Sequence, residues 1–188
     1  MLNGRVYGML VAMVAAALVA GCEVQGEPRA RDNAPLAWYD GTLPILRFKN
    51  DPAHERGWVL TREGVVVFDF RTRRTLAHVP LPGWLWVGEP YACPPDLAIG
   101  PHGEVLVSSN VVPTLWRIDP VTFEVSRHEP ALDQDANRDV GFSALSYSGK
   151  QGAYFGTSEL QGTTWRIDPS LREARKLVGA ARTPSCSS

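Results

Sequence analysis

Leu115-Trp116-Arg117-Ile118-Asp119-Pro120 and Thr164-Trp165-Arg166-Ile167-Asp168-Pro169 nearly repeat one another, and the rest of the chain is ordered around them. In each, an apolar stretch runs into an Asp-Pro pair. Successive side chains of a strand point to opposite faces, Asp accepts hydrogen bonds from the backbone just beyond it, and Pro fixes φ for a turn. An earlier stretch, Val67-Phe68-Asp69, ends on the same residue. The three aspartates recur about every 50 residues, a fixed period that in strand-rich sequence signals a repeated four-stranded unit.

Outward from these marks, each unit resolves into four predicted strands separated by Gly, Pro, Asp and Asn. In the second unit they are 96–99, 104–108, 114–119 and 124–128; in the third, 143–147, 153–157, 164–168 and 173–177. The first unit is more degenerate, with strands at 44–48, 58–61, 65–71 and 76–79. No stretch has the 3.6-residue apolar period of an amphipathic helix. The expectation is an all-β chain of about three antiparallel four-stranded blades.

The stretch Asp96-Leu97-Ala98-Ile99-Gly100-Pro101-His102-Gly103-Glu104-Val105-Leu106-Val107-Ser108, followed by Trp116-Arg117-Ile118-Asp119-Pro120, resembles a blade of the NHL-type and quinoprotein-like β-propellers. The resemblance covers roughly residues 43 to 178. Propellers close a ring with typically four to eight blades. Three blades therefore imply an incomplete or open propeller, one that associates with further copies to complete a ring, or part of a longer relative.

The chain has 188 residues, 44% of them hydrophobic, enough for one ordinary domain. With 21% charged residues and a net charge of -1 there is no basic excess to neutralise phosphates, which argues against a nucleic-acid partner. Residues 1–22 stand apart: Arg5 is their only charge, and an apolar run from Met9 to Ala20 is too short for a membrane span. Their end, Leu18-Val19-Ala20-Gly21-Cys22, resembles the lipobox of bacterial lipoproteins. That resemblance implies a signal peptide over 1–22 and an acylated (palmitate-bearing) Cys22, anchored through buried CH₂ groups without a spanning helix. Glu23, in place of Asp, implies the outer membrane, with the protein facing the periplasm. An ordinary cleaved signal and a plain membrane anchor are the alternatives. The polar stretch 23–35 reads as a flexible tether, 36–178 as the repeat domain, and 179–188 as a Ser-rich tail. An oxidising compartment permits Cys93 and Cys186 to pair, although a tail thiol could equally stay free or pair between chains.

Antiparallel strands reverse at every turn, so the first-to-second and third-to-fourth loops share one edge of each blade. The opposite edge receives the long segments 81–95, 109–113, 129–142 and 158–163, where function on a rigid β scaffold concentrates. One of them, around Trp84, Trp86 and Tyr91, gathers aromatics suited to a sugar, a peptide or another protein, or to packing between blades. Another carries Asp133, Asp135, Asn137 and Asp139, oxygen ligands at alternate positions as in a Ca²⁺ loop. It resembles the start of an EF-hand, but Arg138 stands where Gly is required and Ala144 where the bidentate Glu would fall. The four histidines, His54, His78, His102 and His128, lack zinc spacing, and no Gly-x-Ser-x-Gly stretch is present. Two functions follow as expectations. The first is a non-catalytic, lipid-anchored module that binds an envelope protein or glycan. The second, resembling propeller lactonases, is a metal-dependent hydrolase drawing on Glu89, Asp96, Asn110 and Glu159.

Overall fold

A computed structural model describes residues 44–88, 91, 93–135 and 140–177. The chain divides into two compact units, 1–36 and 37–188, and all the described residues belong to the second.

Three antiparallel sheets follow one another along the chain, each with its first four strands in sequence order. The first contains β1 (Ile45–Asp51), β2 (Arg56–Thr61), β3 (Val65–Asp69) and β4 (Arg74–Val79); the second, β5 (Leu97–Ile99), β6 (Val105–Ser108), β7 (Leu115–Ile118) and β8 (Val125–His128). The third contains β10 (Ala144–Ser148), β11 (Ala153–Ser158), β12 (Thr163–Ile167) and β13 (Glu173–Lys176). All-β architecture and a four-stranded repeat are therefore as the sequence predicts. The described residues contain no α-helix, only a 3₁₀ turn at Pro52–His54 between β1 and β2.

One strand departs from the expectation. The connection from β8 to β10, expected to be loop, forms β9 (Ala131–Leu132), which pairs parallel with β13 and makes the third sheet five-stranded. Two residues carry no periodicity to read. The strand exists because β13 would otherwise be an unpaired edge, and the Ala131 and Asp133 amides donate to the Arg172 and Ala174 carbonyls.

Alternation within each strand builds two apolar layers. Trp58, Leu60, Val65 and Val67 of the first sheet meet Leu97, Val105, Val107, Trp116 and Ile118 of the second. The opposite side chains of the second sheet, Ala98, Leu106 and Leu115, meet Leu145, Tyr154, Trp165 and Ile167 of the third. The sheets thus stack face to face as propeller blades do, the middle one buried on both faces. Trp116 and Trp165, at equivalent positions of the repeat, each face the preceding sheet.

The Asp-containing turns behave alike. The Asp119 carboxylate accepts from the Val121 and Thr122 amides, both at 2.8 Å, and Asp69 from the Thr72 amide at 2.6 Å. Asp168 accepts from the amides of Ser170, Arg172 and Glu173. Each turn also holds a non-glycine residue in the left-handed region, Arg73, Phe123 or Leu171. Such a conformation costs roughly 1–2 kcal/mol, which the aspartate's bonds offset.

Candidate functional site

At the inner rim, where β1, β5 and β10 run side by side, one residue joins all three sheets. Asp96 lies just before β5 and is buried. Its Oδ1 accepts from the Leu97 amide at 2.8 Å and its Oδ2 from the Leu145 amide of the third sheet at 2.9 Å. Arg47 Nε and Lys49 Nζ of the first sheet each stand 3.8 Å from Oδ1. The loop edge supports this hub through Ser108, whose hydroxyl donates to the Phe142 carbonyl at 2.5 Å, while the Phe142 amide donates to the Ser109 carbonyl at 2.7 Å. Asp96, expected as a metal ligand, is thus engaged as an inter-sheet tie.

At the opposite, short-turn edge, a guanidinium links each pair of neighbouring sheets. Arg56 donates to the Pro120 carbonyl at 2.5 Å, and Arg117 donates to the Pro169 carbonyl. Each acceptor is the proline of an Asp-Pro pair, so the repeated motif serves both its own turn and the preceding sheet. His54 also belongs to this edge, with Nδ1 2.8 Å from buried Asp51 and its ring against Gly103. Gly103 has φ +82° and no room for a Cβ there. Tyr154 donates to Glu104 at 2.8 Å, and burial, reinforced by that carboxylate, raises its phenol well above the usual tyrosine range.

The long-loop edge carries the aromatic cluster. The Trp84 indole N–H donates to the Arg62 carbonyl at 2.8 Å, and its ring meets Trp116 edge-on at 5.2 Å. The Arg62 guanidinium lies over Trp86, 4.2 Å from the ring centre. Tyr91 is half-buried, and its amide donates to the Gly88 carbonyl. Asn110 ties the same loop by donating to the Val87 and Cys93 carbonyls. These anchors leave Leu85, between the two tryptophans, 71% exposed. Val112 in the β6–β7 loop is 43% exposed and Leu160 in the β11–β12 loop 47%. Three of the four long segments therefore offer a solvated apolar side chain on the same edge of the sheets.

The acidic loop takes a different position. Asp133 accepts from the Lys176 amide at 2.9 Å and Asp135 pairs with the Lys176 ammonium, so both fasten β9 to β13. Asn137 and Asp139 lie outside the described residues, as do Glu89, Cys22 and Cys186. Cys93 is disulfide-bonded. No group of three His, Cys, Asp or Glu residues able to hold a metal occurs among the described residues. Two acceptors that a lactonase-like centre would draw on are nevertheless buried without a hydrogen-bond partner: Asn110 Oδ1 and Glu159 Oε2.

No protein-family model matches the sequence, and no curated protein matches it. Similarity appears in solved structures. A dihydro-heme d1 dehydrogenase, NirN, superposes with a TM-score of 0.53 at 18% identity, covering 71% of this chain and 28% of that one. Hydrazine synthase from Kuenenia stuttgartiensis gives 0.55 at 12% identity, covering 76% and 38%. A catalytically inactive virginiamycin B lyase from Staphylococcus aureus, with quinupristin, gives 0.53 at 13% identity, covering 74% and 42%. NirN and the virginiamycin B lyase are propeller-like, and the shared property is the fold. The chain spans well under half the length of each.

Proposed function

We propose that this is a lipid-anchored protein of the bacterial cell envelope whose sheet stack is a non-catalytic binding module for a protein or glycan. The observation that carries the binding reading is the long-loop edge. Its aromatic loop is fixed by Arg62, Asn110 and Trp116, yet Leu85, Val112 and Leu160 stand exposed on that edge. Preorganised apolar groups contribute affinity because little ordering entropy is lost on binding. Trp84, Trp86 and Tyr91 would line the contact beneath Leu85.

Anchoring rests on the Leu18–Cys22 stretch, with Glu23 favouring the outer membrane and a domain facing the periplasm. The chain holds three cysteines. With Cys22 acylated and Cys93 disulfide-bonded, Cys186 is the one remaining partner within the chain. Palmitate labelling that vanishes in Cys22→Ser, with peptide mapping of a Cys93–Cys186 bridge, is the expected result; an unlabelled wild type would sink the anchor.

For binding, envelope proteins and glycans are captured on the wild type and on Leu85→Asp, a site whose exposure lets the substitution leave the core intact. A ligand retained by the wild type and at least tenfold depleted by the substitution supports the module. Equal recovery on both removes the role of this edge.

A second reading, a metal-dependent hydrolase related to propeller lactonases, rests on the unpartnered Asn110 Oδ1 and Glu159 Oε2. A Ca²⁺ or transition-metal ion held by either oxygen would satisfy it and could polarise a substrate carbonyl. Thermal melts with Ca²⁺, Zn²⁺ and Mn²⁺ test it, and no shift with any ion would eliminate it.

A further inference from the structure

The register of the three sheets allows their faces to be compared position by position. On the side facing the next sheet, one cross-strand row reads Lys49–Trp58–Val67–Ala77 in the first sheet and Ala98–Leu106–Arg117–Ser126 in the second. In the third it reads Ser146–Phe155–Arg166–Arg175. Beside it, Leu60 and Val65 of the first sheet correspond to Ser108 and Leu115 of the second and to Thr157 and Thr164 of the third. Polarity rises along the stack. Trp58, Leu60, Val65, Val67, Leu106 and Leu115 are each at most 1% exposed. At the matching places of the third sheet, Phe155, Thr157, Thr164 and Arg166 are only partly buried; Ser146 is exposed where the middle sheet has buried Ala98, and Arg175 is exposed as its counterpart Ser126 is.

The guanidinium links agree with this gradient. Arg56 and Arg117 each reach the following sheet's proline carbonyl, and each has its Nε buried without a partner. The side chain of Arg166, the register equivalent of Arg117, makes no hydrogen bond or ion pair to any described residue, and its Nε is not among the buried unpartnered atoms. A guanidinium that remains in water incurs no such desolvation cost.

We infer that the outward face of the third sheet faces water, and that a second copy of the chain does not dock there to extend the stack into a ring. An apolar repeat face left uncovered is an adhesive surface, whereas a polar one stays in water. Replacing Ala98, Leu115 and Ser126 of the repeat by Ser146, Thr164 and Arg175 supplies that change, with Phe155 as the remaining apolar element. This inference is independent of the ligand proposed for the loop edge.

The test is the solution mass of the processed, lipidated protein in detergent micelles over a wide concentration range, corrected for bound detergent. One chain per particle is expected throughout. The triple variant Ser146→Ala/Thr164→Leu/Arg175→Ser, which restores the middle sheet's residues, should gain concentration-dependent self-association. Wild-type oligomers dispersed by Phe155→Glu would overturn the inference, because the face would then be an interface. A triple variant that stays single would overturn it too, by showing that the polar residues are not what keeps the face in water. An oligomer indifferent to Phe155→Glu forms elsewhere and leaves the face solvated, as inferred.

Discussion

At the residue scale the molecule depends on aspartates used in two ways. Asp96 is buried and accepts two amides from different sheets while facing two cations. Asp96→Ala leaves the Leu145 amide without its acceptor and Arg47 and Lys49 without a counter-charge. Removing one side of such a cluster costs more than the cluster contributes net, here about 2–4 kcal/mol. Urea unfolding should show that loss at an unchanged slope, and a loss below about 0.5 kcal/mol would deny Asp96 its joining role. The turn aspartates act through protonation. The Thr72 amide holds Asp69 below the usual carboxylate range, and the Thr122 amide does the same for Asp119. At Asp168 burial pushes upward, but the Ser170 hydroxyl and three amides outweigh it and the net shift is down. A carboxyl held below its unfolded value stabilises the fold above that value and ceases to do so as pH falls through the folded one. Acid titration of stability should therefore fall mainly below about pH 4, the unfolded carboxylate range, and Asp168→Asn should flatten that limb. An unchanged acid limb in Asp168→Asn would show that its bonds do not contribute. The sequence made the turn role of these aspartates legible because their partners are two to five residues away. It could not reveal the role of Asp96, whose partner Leu145 is set by how two sheets stack.

At the scale of elements, the close contacts fall where chain segments cross between sheets. Gly141, in the connection that enters β10, lies so near the backbone of Asn110 that a Cβ would sit 2.0 Å from the Asn110 carbonyl carbon. Backbone cannot yield as a flexible side chain does, so Gly141→Ala must displace the β6–β7 loop, at a cost of about 1–3 kcal/mol by analogy with overpacking. Gly149, in the β10–β11 turn, has open space for 4 Å around the place a Cβ would take, and no left-handed φ. Gly149→Ala should be neutral within about 0.5 kcal/mol, or slightly stabilising through the unfolded chain. Paired thermal melts decide the matter, and equal effects at the two glycines would refute the crowding. Twelve strands were readable because their alternation and turn residues are local. β9 was not, because it exists only to cover the edge of β13. The same limit applies to Asp133 and Asp135. Their spacing suggested Ca²⁺, but in the structure both engage Lys176, 43 residues from Asp133 and 41 from Asp135, a neighbour brought there by the parallel pairing of β9 with β13.

At the scale of the whole molecule, the three sheets follow one another, and among the described residues the first and third share no apolar layer. The first layer joins sheets one and two, the second joins two and three, and Asp96 is the described tie that reaches all of them. In a linear array each unit is stabilised chiefly by its immediate neighbours. Trp165 is fully buried and faces the middle sheet. Trp165→Ala should cost about 3–5 kcal/mol through lost contacts and the cavity left behind. The loss should also be spatially graded. Hydrogen exchange in the variant should accelerate first in β11 and β12, less in β6 and β7, and least in β2 and β3, whose layer around Trp58 is untouched. Local opening then costs less than global unfolding at one end of the stack. If exchange instead accelerated equally in β2 and β12, the inner-rim contacts around Asp96 would have to couple the sheets more strongly than the layers do. The protein would then behave as one cooperative unit rather than a line of neighbours. The comparison therefore measures directly whether the apolar layers or the charged hub set the cooperativity of the stack.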